Sequence, residues 1–234
     1  MARRAPAERV QASAIARFEP RDRALSPSEL RLFLAALDQA ATMPTLRLAV
    51  RFVLLTGVRK GELLGLRWID LDLTTRRLDI ARSYRARPKS GVTRHLKLPT
   101  TLLPLLSEWR LRCPRTPDGL LFPVSARGTL RQGRKLDMLG LPELLSEMMT
   151  RPIQRPWHAL RHTFASHYVM SGGNILALSK TLGHSKVETT MIYAHLAPDF
   201  MAAEIARLSF AAPALASPSH PLHLQRARFA SARK

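Results

Sequence analysis

A chain of 234 residues with 46% hydrophobic content carries enough apolar side chains for a buried core, which excludes a disordered polymer. Its 37 Lys+Arg against 17 Asp+Glu leave a formal charge of +20, a surplus that points to nucleic acid ahead of an anionic membrane surface. The single cysteine, Cys113, excludes an internal disulfide and any thiolate-based zinc site. No apolar run is long enough for a secretory leader or a membrane span, so a cytoplasmic protein is expected.

Residues 1–25, rich in Arg, Ala and Pro without a sustained period, read as a linker or basic arm. Ser26-Pro27-Ser28-Glu29 is a capping box with proline at the first helical position, and Leu30, Phe33, Leu34 and Leu37 continue it at helical spacing. A second helix, apolar on most sides, runs from about Leu46 to Leu55 and stops at Thr56-Gly57. Lys60 to Arg67 reads as a short third helix. The period then changes. Arg77–Ala81 and Arg94–Leu98 alternate polar with apolar on either side of a Pro88-Lys89-Ser90-Gly91 turn, which predicts a small antiparallel sheet. Helices resume over about Thr101–Leu111 and Leu136–Met149, with residues 112–135 loop-like between them. Trp157–Met170 forms the next helix, ended by Ser171-Gly172-Gly173, and Asn174–Leu182 another. Ser185-Lys186-Val187-Glu188 is a second capping box, expected to open a helix that carries Tyr193. Pro198 starts a last helix through Leu208, and residues 209–234, rich in Ala, Ser, Pro and Arg, read as a disordered tail. The class is mainly α with a small antiparallel β-sheet (α+β).

Several residues in this frame suit metal-free cleavage of a phosphodiester. That reaction needs a nucleophile, cations to hold the charge growing on the non-bridging oxygens, and an acid for the departing oxygen. Arginine is the best clamp, because its planar fork donates two parallel hydrogen bonds to phosphate. Arg59 stands in Thr56-Gly57-Val58-Arg59-Lys60-Gly61-Glu62, where Glu62 at i, i+3 can fix its rotamer. His158-x-x-Arg161 follows a hundred residues later, and Arg161 falls about 40° from the centre of its helix's apolar stripe. A charge so near a core needs an anionic partner, either an internal carboxylate or a bound phosphate. His184 precedes a helix N-terminus, a region that favours anions. His158 and His162 have the i, i+4 spacing of a zinc helix, but Ala159 stands where a metalloprotease carries glutamate, so no metal is expected. His162, His167 and His95 read as ordinary polar residues. Tyr193 is either a nucleophile or a core tyrosine beside Met191 and Ile192.

Taken together and in this order, the motifs resemble the tyrosine recombinase family, which includes phage integrases and Xer-type recombinases, over roughly residues 26 to 208. The resemblance implies an integrase-like catalytic domain acting on double-stranded DNA without metal, ATP or cofactor. It implies that Arg59, Arg161 and His184 contact the scissile phosphate, that Glu62 supports Arg59, and that His158 shuttles protons. Lys89, in the predicted turn, matches the family's general acid, and Tyr193 its nucleophile, giving a 3′-phosphotyrosine and a free 5′-hydroxyl. Family members assemble on DNA as a tetrameric synapse, and residues 198–210, with Phe200, Ile205, Leu208 and Phe210, match the segment docked onto a neighbouring subunit. They also carry a helical DNA-binding domain before the catalytic one, and residues 1–25 are too few for it. Two alternatives therefore stand beside the recombinase: a DNA-binding remnant that recombines nothing, and a type IB topoisomerase-like nicking enzyme.

Overall fold

The computed structural model describes residues 23–39, 44–83, 93–126, 129–131, 140–149 and 153–198. Helix α1 (Pro27–Gln39) opens on the predicted capping box: Ser26 Oγ accepts from the Glu29 amide, and Glu29 Oε2 accepts from the Ser26 amide at 2.8 Å. Phe33 and Leu37 bury its inner face. Helix α2 (Pro44–Thr56) is buried on most sides, as its composition requires, and packs along α6 (Pro156–Met170). It ends at Gly57, whose φ of 64° is left-handed backbone that costs a non-glycine residue about 1–2 kcal/mol. Helix α3 (Lys60–Gly65) follows directly.

The antiparallel sheet is present with one more strand than the sequence predicts: β1 (Leu71–Asp72), β2 (Arg77–Ile80) and β3 (Arg94–Lys97), in that order. Leu78 pairs with Leu96 and Ile80 with Arg94, so Leu78, Ile80 and Leu96 turn one face into the core. Helix α4 (Leu102–Arg112) packs against α2, with Trp109 Nε1 donating to the Leu121 carbonyl at 2.7 Å. A second hairpin, β4 (Val124–Ala126) with β5 (Thr129–Arg131), occupies part of the stretch expected to be loop. Strands this short give no visible alternation. Helices α5 (Leu141–Met148), α6, α7 (Ile175–Leu182) and the single turn α8 (Glu188–Met191) complete the described chain.

The buried side chains form two clusters. The larger gathers α1 to α5, the sheet and the start of α6, with Phe52 and Phe122 edge to face at 5.4 Å. The smaller joins Ala165 and Val169 of α6 to Leu178 and Leu182 of α7 and to Tyr193. Helix α6 therefore serves both, and His158 and Arg161 lie on it between the two. Among the described residues, no helix is long and apolar enough to cross a membrane.

Candidate active site

Arg59 stands at the N-cap of α3 and is tied to Glu62 by two hydrogen bonds, both of which it donates. The Arg59 amide donates to Glu62 Oε2 at 2.8 Å, and its Nη1 donates to Oε1 at 3.0 Å. Glu62 is only 2% exposed and receives a second guanidinium, because Arg94 on β3 donates to both of its oxygens at 2.7 Å. Burial alone would raise the Glu62 carboxyl. The Arg94 hydrogen bonds and charge, with Arg59 behind them, hold it below the usual carboxylate range. Arg94 also donates through Nε to the Thr181 carbonyl at 3.0 Å, which ties the sheet to the end of α7.

The second nitrogen of Arg59, Nη2, donates to the Gly183 carbonyl at 3.0 Å. Gly183 ends α7 with a φ of 64°, and the His184 amide donates back to the Ser179 carbonyl to close a Schellman turn. A Cβ at Gly183 would stand 2.9 Å from Arg94 Cδ and Nη1, so glycine is required by both conformation and space.

Arg161 is 5% exposed, in keeping with its place near the apolar stripe. Its Nη1 donates to the Gly57 carbonyl at 2.5 Å and its Nη2 to the Leu182 carbonyl at 2.8 Å. The internal carboxylate pair left open by the sequence is not formed among the described residues. Burial, and then the nearby Arg59 charge, pull the guanidinium down to about 9, which leaves it cationic at neutral pH.

His184 lies 3.2 Å from Arg161 Nη2 through Nε2, and 2.8 Å from Thr190 Oγ1 through Nδ1. A guanidinium has no acceptor, so Nε2 accepts from Arg161 and the ring proton sits on Nδ1, donating to Thr190. Burial, with the Arg161, Arg59 and Arg94 charges, depresses the imidazole to about 4, so it is neutral here.

Arg59, Glu62, His158, Arg161 and His184 line one cleft of about 770 Å³. Three guanidiniums stand near one carboxylate, with Arg59 and Arg94 paired to Glu62 and Arg161 held by main-chain carbonyls, and the surplus positive charge suits an anion such as a phosphodiester. Among the described residues no group of His, Cys, Asp and Glu is arranged to hold a metal.

Tyr193 is placed differently from the sequence expectation. The capping box at Ser185 does not form: α8 begins at Glu188, after Val187, and ends at Met191. The chain around His184 is held instead by contacts with Arg161 and with Thr190 of α8, and helix geometry starts only at Glu188. Tyr193 stands in the turn past α8, immediately before a 3₁₀ turn over Ala194–Leu196. The break frees residues 184 and 193 from the separation of about 13.5 Å that one straight helix would impose. The Tyr193 ring is 6% exposed in the smaller core, and its hydroxyl lies 2.6 Å from His162 Nδ1, behind the cleft wall. Burial pushes the phenol up to about 12, partly offset by Arg161.

Lys89 lies outside the described residues, as do 1–22 and 199–234. Sequence reasoning passed over two residues that the geometry brings in. Arg94 shares the inward face of β3 with Leu96, a register the alternation already carries. His162 follows His158 by one helical turn and meets Tyr193 across 31 positions.

The chain is similar to the integrase of Escherichia phage 186, 35% identical over 158 residues, which is 68% of this chain and 40% of that protein. It is also similar to tyrosine recombinase XerC of Xanthomonas axonopodis pv. citri, 32% identical over 141 residues, 60% of this chain and 43% of that protein. The chain thus spans less than half the length of these curated relatives. The catalytic domain of bacteriophage HP1 integrase superposes with a TM-score of 0.59 at 27% identity, covering 79% of this chain and 94% of that one. A Tn1549 transposon integrase in complex with circular intermediate DNA has the same fold, with a TM-score of 0.66 at 24% identity over 82% of this chain and 67% of that one. The model of the phage integrase family matches residues 23–199, and the chain belongs to that family.

Proposed function

We propose that the chain is the catalytic portion of a site-specific DNA recombinase of the integrase type. The observation that carries the reading is the convergence of Arg59, His158, Arg161 and His184 on one cation-rich cleft, with the Tyr193 hydroxyl behind its wall. A scissile phosphate in the cleft is held by Arg59 and Arg161, whose forks stabilise the charge growing on the non-bridging oxygens. His184, neutral with its proton on Nδ1 in the free protein, takes the other tautomer when phosphate is bound: Nδ1 accepts from the Thr190 hydroxyl and the Nε2 proton is donated to the same phosphate. Tyr193 swings from its buried seat and attacks phosphorus, and the 5′ oxygen leaves with a proton from Lys89. The 3′-phosphotyrosine conserves the phosphodiester bond energy, so religation needs neither ATP nor metal. Residues 26–208 form the catalytic unit, with 1–25 as linker or arm and 209–234 as a basic tail. Strand exchange takes place in a tetramer on double-stranded DNA, with residues 198–210 docking onto the neighbouring copy.

The test is a nicked suicide duplex that traps the covalent intermediate. The wild-type chain is expected to form an adduct that maps to Tyr193 and is lost in Tyr193→Phe. Arg161→Ala is expected to bind the duplex but cut it at least ~10²-fold more slowly, the usual loss on removing one donor to a developing oxyanion. No adduct on any duplex would favour a binding-only remnant. An adduct that survives Tyr193→Phe would remove the nucleophile assignment.

A further inference from the structure

His162 follows Arg161 on α6, so its side chain leaves the helix about 100° further round, away from the phosphate seat and toward the turn that holds Tyr193. There its Nδ1 lies 2.6 Å from the Tyr193 hydroxyl, with ring centroids 5.7 Å apart. One helical turn back, His158 presents Nε2 to the Nε2 of His162 at 3.0 Å, the two rings edge to face at 89°. His158 also lines the cleft. Two imidazoles in line therefore join the buried phenol to the site where phosphate would lie.

The hydrogen-bond inventory makes this line directional. A neutral imidazole has one N–H and one acceptor nitrogen. With the phenol donating to Nδ1 of His162, that ring's proton sits on Nε2 and donates to Nε2 of His158, whose own proton is on Nδ1. The phenol, pushed up to about 12, does not ionise unaided at neutral pH, so the nucleophile needs an acceptor. Among the described residues, the Arg161 charge acts on Tyr193, and His184, itself neutral, feels both Arg161 and His162.

We propose that His162 accepts the Tyr193 proton and passes its own Nε2 proton to His158, a two-imidazole relay that activates the nucleophile; the inference rests on the reading of Tyr193 above. The Oη–P bond forms as the P–O5′ bond breaks. While the phenol is still in its seat its proton goes to Nδ1 of His162 and the Nε2 proton of His162 goes to Nε2 of His158; the phenolate then swings to phosphorus, and O5′ takes a proton from the general acid. His158 ends as an imidazolium on the cleft wall, beside the phosphate's negative charge. Religation runs the same transfers backward. Reversing the polarity of the His162–His158 bond is thus the difference between the states before and after attack.

The experiment is single-turnover adduct formation on the nicked duplex from pH 5 to 9, with wild type, His162→Asn, His162→Ala and Tyr193→Phe. Asparagine puts an acceptor oxygen near the place of Nδ1 but is no base. His162→Asn is expected to bind the duplex with wild-type affinity, to form the Tyr193 adduct ~10²-fold more slowly, and to lose the decline in rate at acid pH. Imidazole in the buffer is expected to restore part of the rate to His162→Ala. Ring-¹⁵N spectra of the unsubstituted protein read the same bond without any change at position 162. They are expected to place His162 with Nδ1 unprotonated and to shift that signal in Tyr193→Phe; an unshifted signal overturns the relay. An adduct on Tyr193 formed by His162→Asn at the wild-type rate and with the wild-type pH profile sinks the relay alone. No adduct from wild type, or one that survives Tyr193→Phe, sinks the relay and the nucleophile reading together.

Discussion

At the scale of single residues, the site is held by groups whose ionisation is set by burial and by one another. Glu62 stays charged because two arginines face it, and His184 stays neutral because burial and three arginines oppose its protonation. The depressed imidazole carries a stability consequence. An unfolded chain takes up this proton near 6.5, while the folded chain resists until about 4. The unfolded state therefore binds more protons in that window, and folding weakens as pH falls through it. Thermal unfolding midpoints of wild type and His184→Gln from pH 7 to pH 4 check this. The wild-type midpoint is expected to drop more steeply, and parallel curves would refute the assignment. Below this window the Glu29 carboxyl, held at about 2 chiefly by its hydrogen bond from Arg23, takes over the loss.

At the scale of elements, bends matter as much as helices. Gly57 and Gly119 both have left-handed backbone, with φ of 64° and 62°. A Cβ on Gly57 would come within 2.4 Å of Phe164 Cδ1, whereas one on Gly119 meets nothing within 4 Å. Gly119→Ala is expected to cost the backbone term alone, about 1–2 kcal/mol, or roughly 2–8 °C in Tm. Gly57→Ala is expected to lose more and also to slow DNA cleavage, because its carbonyl anchors Arg161. Equal Tm shifts in the two variants would show that Phe164 yields freely. The helices, the sheet and the Arg59–Glu62 pair were legible in the sequence because each is a pattern of neighbours: a capping box, an alternation, an i, i+3 contact. The Glu62–Arg94 pair spans 32 positions and Tyr193–His162 spans 31, so no local period could disclose them. The capping motif at Ser185 misled for the converse reason, since the tertiary contacts of His184 outweigh a local preference.

At the scale of the whole molecule, the surplus charge of +20 is far larger than the cleft alone accounts for. If the remaining cations follow a duplex, counterion release makes binding steeply dependent on salt. A protein that neutralises ~6–10 phosphates loses ~10³–10⁵ in affinity between about 50 and 200 mM salt. Gel shifts across that range are expected to give such a slope with any duplex, and flat binding would remove charge as the source of affinity.

Arg161 is steadied by main-chain oxygens, at Gly57 and Leu182, and not by a carboxylate. Peptide oxygens neither gain nor lose protons in the range where proteins work, and all amino acids possess them. The aim of this guanidinium is therefore untouched by the titration of any carboxylate and by the side chains of the residues whose carbonyls anchor it, for as long as the path of the backbone survives.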